Sequence, residues 1–139
     1  ACTARAVIAV LEDYNITLEG KHVVIIGRSD VVGKPLAHLC LTRNATVTVC
    51  HSRTKDLQAL TAQADILVAA VGKAAFVTPD MVKEGAVIID VGINRADGRT
   101  VGDVSDAANA KASQYTPVPG GIGAVVSTII LENTAYGRR

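Results

Sequence analysis

Two clusters of polar residues, each at the end of a short apolar run, have the types and spacing to bind an anion. The first is Gly27-Arg28-Ser29-Asp30, which follows His22-Val23-Val24-Ile25-Ile26 and leads to Gly33 and Pro35. Arg28 brings a permanent positive charge and Ser29 a hydroxyl donor. Gly27 permits a sharp turn out of a strand, and Pro35 suits the first turn of a helix. The first-turn N–H groups of that helix, with its dipole behind them, are expected to hold a phosphate. The spacing departs from G-x-G-x-x-G, because Ser29 stands between Gly27 and Gly33. The second cluster is His51-Ser52-Arg53-Thr54-Lys55, after Thr46–Cys50. Dinucleotide folds that take NAD tend to carry a carboxylate at this point to receive the ribose hydroxyls. Here no carboxylate occurs until Asp56. Arg53 and Ser52 would instead receive a 2′-phosphate, which points to NADP.

Other candidates for chemistry are scattered. His22 starts a strand, His38 lies mid-helix and His51 sits at the cofactor edge. Asp90 and Asp103 could orient a substrate or simply bond a neighbouring loop. Lys73, after Gly72, could be a solvated loop charge. No nucleophile is paired with a base, so no catalytic residue is assigned. Cys2, Cys40 and Cys50 lack metal-ligand spacing. Cys40 and Cys50 read as buried free thiols, which favours a reducing, cytoplasmic setting.

The elements that must position these residues alternate. A first helix is expected from a Thr3 cap to about Tyr14, with Val7, Ile8, Leu11 and Tyr14 on one face and Asn15 as its stop. Strands follow at Val23–Ile26, Thr46–Cys50, Asp65–Val71, Ala86–Val91 and Gln114–Pro117. Helices are expected over 33–43 and 56–63, at Thr78-Pro79-Asp80, and over 107–112 and 123–136. Asp97-Gly98 reads as a turn between short extended pieces. The alternation indicates a doubly wound parallel sheet with helices on both faces. With no extra strand between Arg53 and Asp65, strand three should cross to the far side of strand one, giving the order 2-1-3-4-5. Glycines at 27, 72, 92 and 120 then fall on the carboxyl edge, where such folds bind ligands.

The 139 residues suit one domain spanning 1–139, and their 49% apolar content with only 3% aromatics implies small aliphatic packing. A net charge of +1 argues against a nucleic-acid-binding surface. No apolar run is long enough to span a bilayer, so no membrane partner is expected.

In combination, GRSDVVGKP (27–35), TVTVCHSRT (46–54), DILVAAVGK (65–73), GAVIIDVGIN (85–94), TPVPGGIG (116–123) and LENT (131–134) resemble methylenetetrahydrofolate dehydrogenase/cyclohydrolase. The resemblance is to its C-terminal, NADP-binding, Rossmann-like domain. It implies oxidation of methylenetetrahydrofolate to the methenyl form with NADP, followed by hydrolysis to formyltetrahydrofolate. It also implies cofactor contacts at Gly27, Arg28 and Ser29 around the phosphates, at Ser52 and Arg53 around the 2′-phosphate, and at Ile93 beside the nicotinamide. Gly120, Gly121 and Gly123 match the loop beside folate and nicotinamide. The family is typically homodimeric.

Two departures are visible. The family's catalytic lysine and its tyrosine partner belong to a preceding domain, which this sequence does not include. Where the family reads P-G-G-V-G-P-M-T, this chain has Ala124, Val125 and Val126 in the last three positions, and Ala1 and Ala4 replace prolines. The expectation is an isolated domain, a fragment or an engineered piece, that binds NADP without turnover and meets folate only when the missing domain is supplied. The alternatives are a complete small NADP oxidoreductase and a module that keeps the fold without a ligand.

Overall fold

The computed structural model describes residues 2–126. Five parallel strands form the central sheet: β1 (His22–Ile26), β2 (Thr46–Cys50), β3 (Ile66–Ala69), β4 (Val87–Asp90) and a two-residue edge strand, Gln114–Tyr115. A separate antiparallel hairpin, β5 (Asn94–Ala96) and β6 (Arg99–Val101), follows β4, so the edge strand is β7. The sheet order is β2-β1-β3-β4-β7. With the hairpin left out of the count, this is the expected 2-1-3-4-5.

The strands form because their residues suit burial on both faces. Val23, Ile25, Ile66, Val68 and Ile89 pack beneath the helices α1 (Cys2–Asp13) and α2 (Gly33–Thr42). Val24, Ile26, Leu67, Ala69 and Ile88 face the opposite layer, built from Val77, Met81, Val82, Val104 and Ala108. Side chains alternate across a strand, so two covered faces need an unbroken apolar run. The second layer carries α3 (Leu57–Thr61), a 3-10 turn at Pro79–Met81 and α4 (Asp106–Asn109). Cys40 and Cys50 are fully buried, and burial pushes the Cys40 thiol up to about 11.

Several local expectations change. Thr3 lies inside α1 rather than capping it, because the helix already includes Cys2. Tyr14 is exposed rather than part of the apolar face. Asn15 stops the helix with φ of 57°, and the N–H groups of Asn15 and Ile16 bond back to the carbonyls of Glu12 and Leu11. This reversal turns Tyr14 outward and lets Ile16 pack on the core in its place. Asn44, with φ of 65°, ends α2 in the same way. The stretch 56–63 shortens to α3, and Thr78-Pro79-Asp80 becomes a single 3-10 turn. β7 is shorter than expected because, after the Thr116 N–H bonds the Ile88 carbonyl, the N–H of Asp90 donates to Thr116 Oγ1 at 2.8 Å instead of to the Thr116 carbonyl, and the ladder stops there. Residues 122–126 are helical, and the remainder of the expected last helix lies outside the described residues, as does LENT.

Candidate functional site

The chain leaving β1 enters the α1/α2 layer and the chain leaving β3 enters the opposite layer, so the two exits part at the switch point, where such folds bind ligands. The exit of β1 is tightly packed. Gly27 has φ of 128°, and a side chain there would lie 2.4 Å from the Ala70 carbonyl oxygen. A Cβ on Gly33 would lie 2.1 Å from the Gly27 carbonyl oxygen. Only glycine at both positions lets the helix N-terminus rest on the strand exit.

Ser29 organises the loop between them. Its Oγ accepts the N–H of Val32 at 3.0 Å and that of Gly33 at 3.5 Å, and its carbonyl accepts the N–H of Lys34 at 3.0 Å. The expected free donors in the first turn of α2 are therefore already used, and Pro35 has none. What faces outward is the loop before the helix. Among the described residues, the N–H groups of Arg28, Ser29, Asp30 and Val31 have no internal acceptor, and Arg28, Ser29 and Asp30 are exposed. Asp30 pairs with Lys34 at 2.9 Å, which offsets the one negative charge in this loop. With its lone pairs taken by backbone donors, the Ser29 hydroxyl proton is left to give outward.

The exit of β2 is a closed turn. The N–H of His51 donates to Thr54 Oγ1 at 2.8 Å, the N–H of Thr54 returns to the His51 carbonyl at 3.0 Å, and the N–H of Arg53 donates to His51 Nδ1 at 3.2 Å. Ser52 and Arg53 sit on the tip, both exposed, and their side chains have no hydrogen bond or ion pair among the described residues. The N–H of Gly27 donates to the Cys50 carbonyl at 2.8 Å, so the Ser29 loop and the Arg53 turn leave from neighbouring, directly bonded strand ends.

The exits of β3 and β4 are tied by two buried carboxylates. Asp103 Oδ2 accepts the N–H groups of Val71 at 2.7 Å and Gly72 at 3.0 Å, and its Oδ1 accepts Lys73 N–H at 3.1 Å and Asn94 Nδ2 at 2.9 Å. Asp90 accepts the N–H groups of Gly92, Asp103 and Val104. Burial, joined by the nearby Asp103 charge, raises the Asp90 carboxyl above its usual value, and the three N–H donors act against that shift. Both acids hold loops. Lys73 is exposed, with its ammonium 5.7 Å from the centre of the Phe76 ring.

Beyond β4 lies a cavity of about 270 Å³, bounded by Gly92, Ile93, Pro117 and Gly120–Ala124. Ile93 is 68% exposed at its mouth. Gly27, Arg28, Ser29, Ser52, Arg53 and Ile93 thus all follow the carboxyl ends of strands. The first five lie together at the β1 and β2 exits, and Ile93 lies at the β4 exit, across the switch point.

Over residues 1–138 the chain matches the family described as tetrahydrofolate dehydrogenase/cyclohydrolase, NAD(P)-binding domain. It belongs to that family. It is 54% identical over 134 residues to the bifunctional protein FolD of Halalkalibacterium halodurans, which covers 96% of this chain and 48% of the relative. The FolD methylenetetrahydrofolate dehydrogenase/cyclohydrolase structure from Campylobacter jejuni superposes with a TM-score of 0.93 at 49% identity, covering 96% of this chain and 48% of that one. The Trypanosoma brucei enzyme, solved with NADP cofactor and an inhibitor, gives 0.88 at 40% identity, covering 96% and 48%. The chain spans about half the length of the relatives it matches.

The sequence pattern located the β1 and β2 exits but missed what holds them. Ser29 was legible as a donor, not as the acceptor that organises α2. Asp90 and Asp103 each stand beside glycines, and that pairing was the available signal for a close-packed clamp.

Proposed function

We propose that residues 1–139 form the NADP-binding domain of a FolD-type enzyme, with the dinucleotide lying across the carboxyl edge of the sheet. The observation that carries this reading is the β2 exit: Ser52 and Arg53 are exposed on a closed turn with no carboxylate before Asp56. A bidentate guanidinium suits a 2′-phosphate, whereas a carboxylate there would repel it. The rest of the crevice fits the same molecule. Gly27 and Gly33 let the helix N-terminus close on the strand exit, and the outward N–H groups of residues 28–31 with the Ser29 hydroxyl and Arg28 suit the diphosphate. The cavity at Ile93 and Gly120–Ala124 suits the flat nicotinamide end.

When bound, NADP supplies the hydride acceptor for oxidising methylenetetrahydrofolate to the methenyl form, which is then hydrolysed to formyltetrahydrofolate. The chain's own residues bind and orient the cofactor, and the folate chemistry draws on a lysine and tyrosine of the preceding half of a relative-length protein. A homodimer and a cytoplasmic setting belong to the same reading. Cys2, Cys40 and Cys50 are free thiols, and no described helix is long and apolar enough to cross a membrane.

Calorimetric titration of the chain with NADP and NAD tests the cofactor assignment, and saturable binding that favours NADP is expected. Lack of binding by either dinucleotide would refute it. A turnover assay with methylenetetrahydrofolate should give only background for this chain by itself.

A further inference from the structure

From the geometry of the β2 exit we infer that His51 is a positioning residue for cofactor choice: its Nδ1 fixes the turn that presents Ser52 and Arg53 to the 2′-phosphate. The inference rests on the cofactor reading above and adds a residue that composition alone does not single out.

Every hydrogen bond that closes the 51–54 turn involves His51. Its N–H and carbonyl form a reciprocal pair with Thr54, and its ring accepts the N–H of Arg53. The first two use His51 backbone atoms and survive any ordinary substitution at this position. Only the Nδ1 bond depends on the side chain, so it can be removed by itself. The N–H of Arg53 is directed at Nδ1, so it is the Nδ1 lone pair that accepts it. Arg53 therefore has its backbone donor satisfied internally, and its guanidinium is what it offers outward.

The turn is anchored on its strand side, where Cys50 is buried and its carbonyl accepts the N–H of Gly27. On its far side Asp56 adopts φ of 56° before α3 begins. Arg53 is thus a long, exposed side chain on a backbone held by hydrogen bonds within the turn. Holding its backbone before the ligand arrives reduces the ordering cost of the phosphate contact. That gain applies to NADP and not to NAD, which has no 2′-phosphate.

The arrangement also dictates the test. Asparagine carries an oxygen close to where Nδ1 sits, and Asn oxygens commonly accept the N–H two residues ahead. Glutamine places its amide near Nε2, and alanine has no acceptor. NADP and NAD dissociation constants are measured by calorimetry for the parent, His51→Asn, His51→Gln and His51→Ala at one ionic strength. His51→Asn should keep the parent's NADP-over-NAD ratio to within about twofold. His51→Gln and His51→Ala should lower it roughly three- to tenfold with little change for NAD, the scale of one neutral hydrogen bond. The inference is overturned if all three variants keep the parent ratio. It is equally overturned if His51→Asn falls as far as His51→Ala, or if NADP and NAD weaken together. A parent chain that binds neither dinucleotide, or binds both alike, removes the cofactor reading and this inference with it. A parent that prefers NADP, with variants in any of the overturning patterns, removes the inference alone.

Discussion

Asp90 and Asp103 are interlocked: the carboxylate of Asp90 accepts the backbone N–H of Asp103 at 2.9 Å, and each carboxylate lies over the glycine beside the other's loop. A Cβ on Gly92 would sit 2.0 Å from Asp103 Oδ1, and one on Gly102 would sit 2.0 Å from Asp90 Oδ2. Through this pair the exits of β3 and β4 and the hairpin form one unit, although neither acid needs to touch a ligand.

The first prediction follows from that packing. Gly92→Ala should destabilise the chain by about 2–3 kcal/mol, because the methyl group must displace a buried carboxylate already engaged by four donors. Asp103→Asn should cost a similar amount, since an amide NH2 would face backbone N–H groups and leave donors unsatisfied. Urea unfolding measures both. A parent-like midpoint for either variant would show that the clamp contributes little.

Acid should weaken the fold through a different carboxylate. The N–H of His22, and then the ammonium of Lys83, hold the Asp65 carboxyl below its usual value. A lowered folded value means stability that is present above the unfolded carboxylate pKa, about 3.9, and lost as pH falls through the folded value. Asp90 acts with the opposite sign. Its raised value gives a contribution that is full below about pH 3.9 and lost as pH rises through the folded value. The parent's pH curve therefore mixes two slopes, and the difference between parent and Asp65→Asn isolates one. That difference in unfolding free energy should be largest near neutral pH and shrink as pH is lowered toward 3. A difference that stays constant across the range would remove Asp65 from the account.

Ser29→Ala should act on stability and on ligand alike. The N-terminus of α2 loses the oxygen that accepts Val32 and Gly33, a capping loss of about 1 kcal/mol. The loop 28–31 loses its internal brace and one outward hydroxyl. NADP and NAD share the diphosphate, so both should weaken by the same factor, roughly three- to tenfold. A loss confined to NADP would move Ser29 to the 2′-phosphate end of the crevice.

How much of this was legible in the sequence depended on range. Val23–Ile26 and Ile66–Ala69 announced themselves because a strand covered on both faces must be apolar throughout. The crossover of β3 past β1 followed from the short helical link after Arg53, and the basic β2 exit was visible as composition. Contacts between distant residues left no such trace. Asp103 reaches Val71 from 32 positions away and Asp90 from 13, and nothing in either neighbourhood specifies the partner. Tyr14 failed for a local reason, because a helical wheel does not register that Asn15 reverses the chain one residue later. His51 was read only as lying at the cofactor edge; its bond to the N–H of Arg53 was not legible because histidine is not a usual turn former, although the bond spans only two residues.

The last prediction concerns Arg53, whose guanidinium is exposed at the tip of the β2 turn and has no partner among the described residues. A 2′-phosphate carries between one and two negative charges near neutral pH and offers three oxygens. Arg53 can meet two of them side by side, and Ser52 can add a hydroxyl donor. Charge-assisted bonds of this kind contribute roughly 1.5–3 kcal/mol each, and solvent at the sheet edge pulls the value toward the lower figure. The parent should accordingly bind NADP roughly 10- to 150-fold more tightly than NAD. Arg53→Ala should erase most of that margin by weakening NADP while leaving NAD nearly unchanged. Arg53→Lys should recover only part of it, because an ammonium supplies charge without the paired geometry. Dissociation constants for both dinucleotides at two ionic strengths decide the matter, since screening reduces a contact between exposed charges. An Arg53→Ala chain that loses NADP and NAD equally would place the 2′-phosphate somewhere other than the β2 exit.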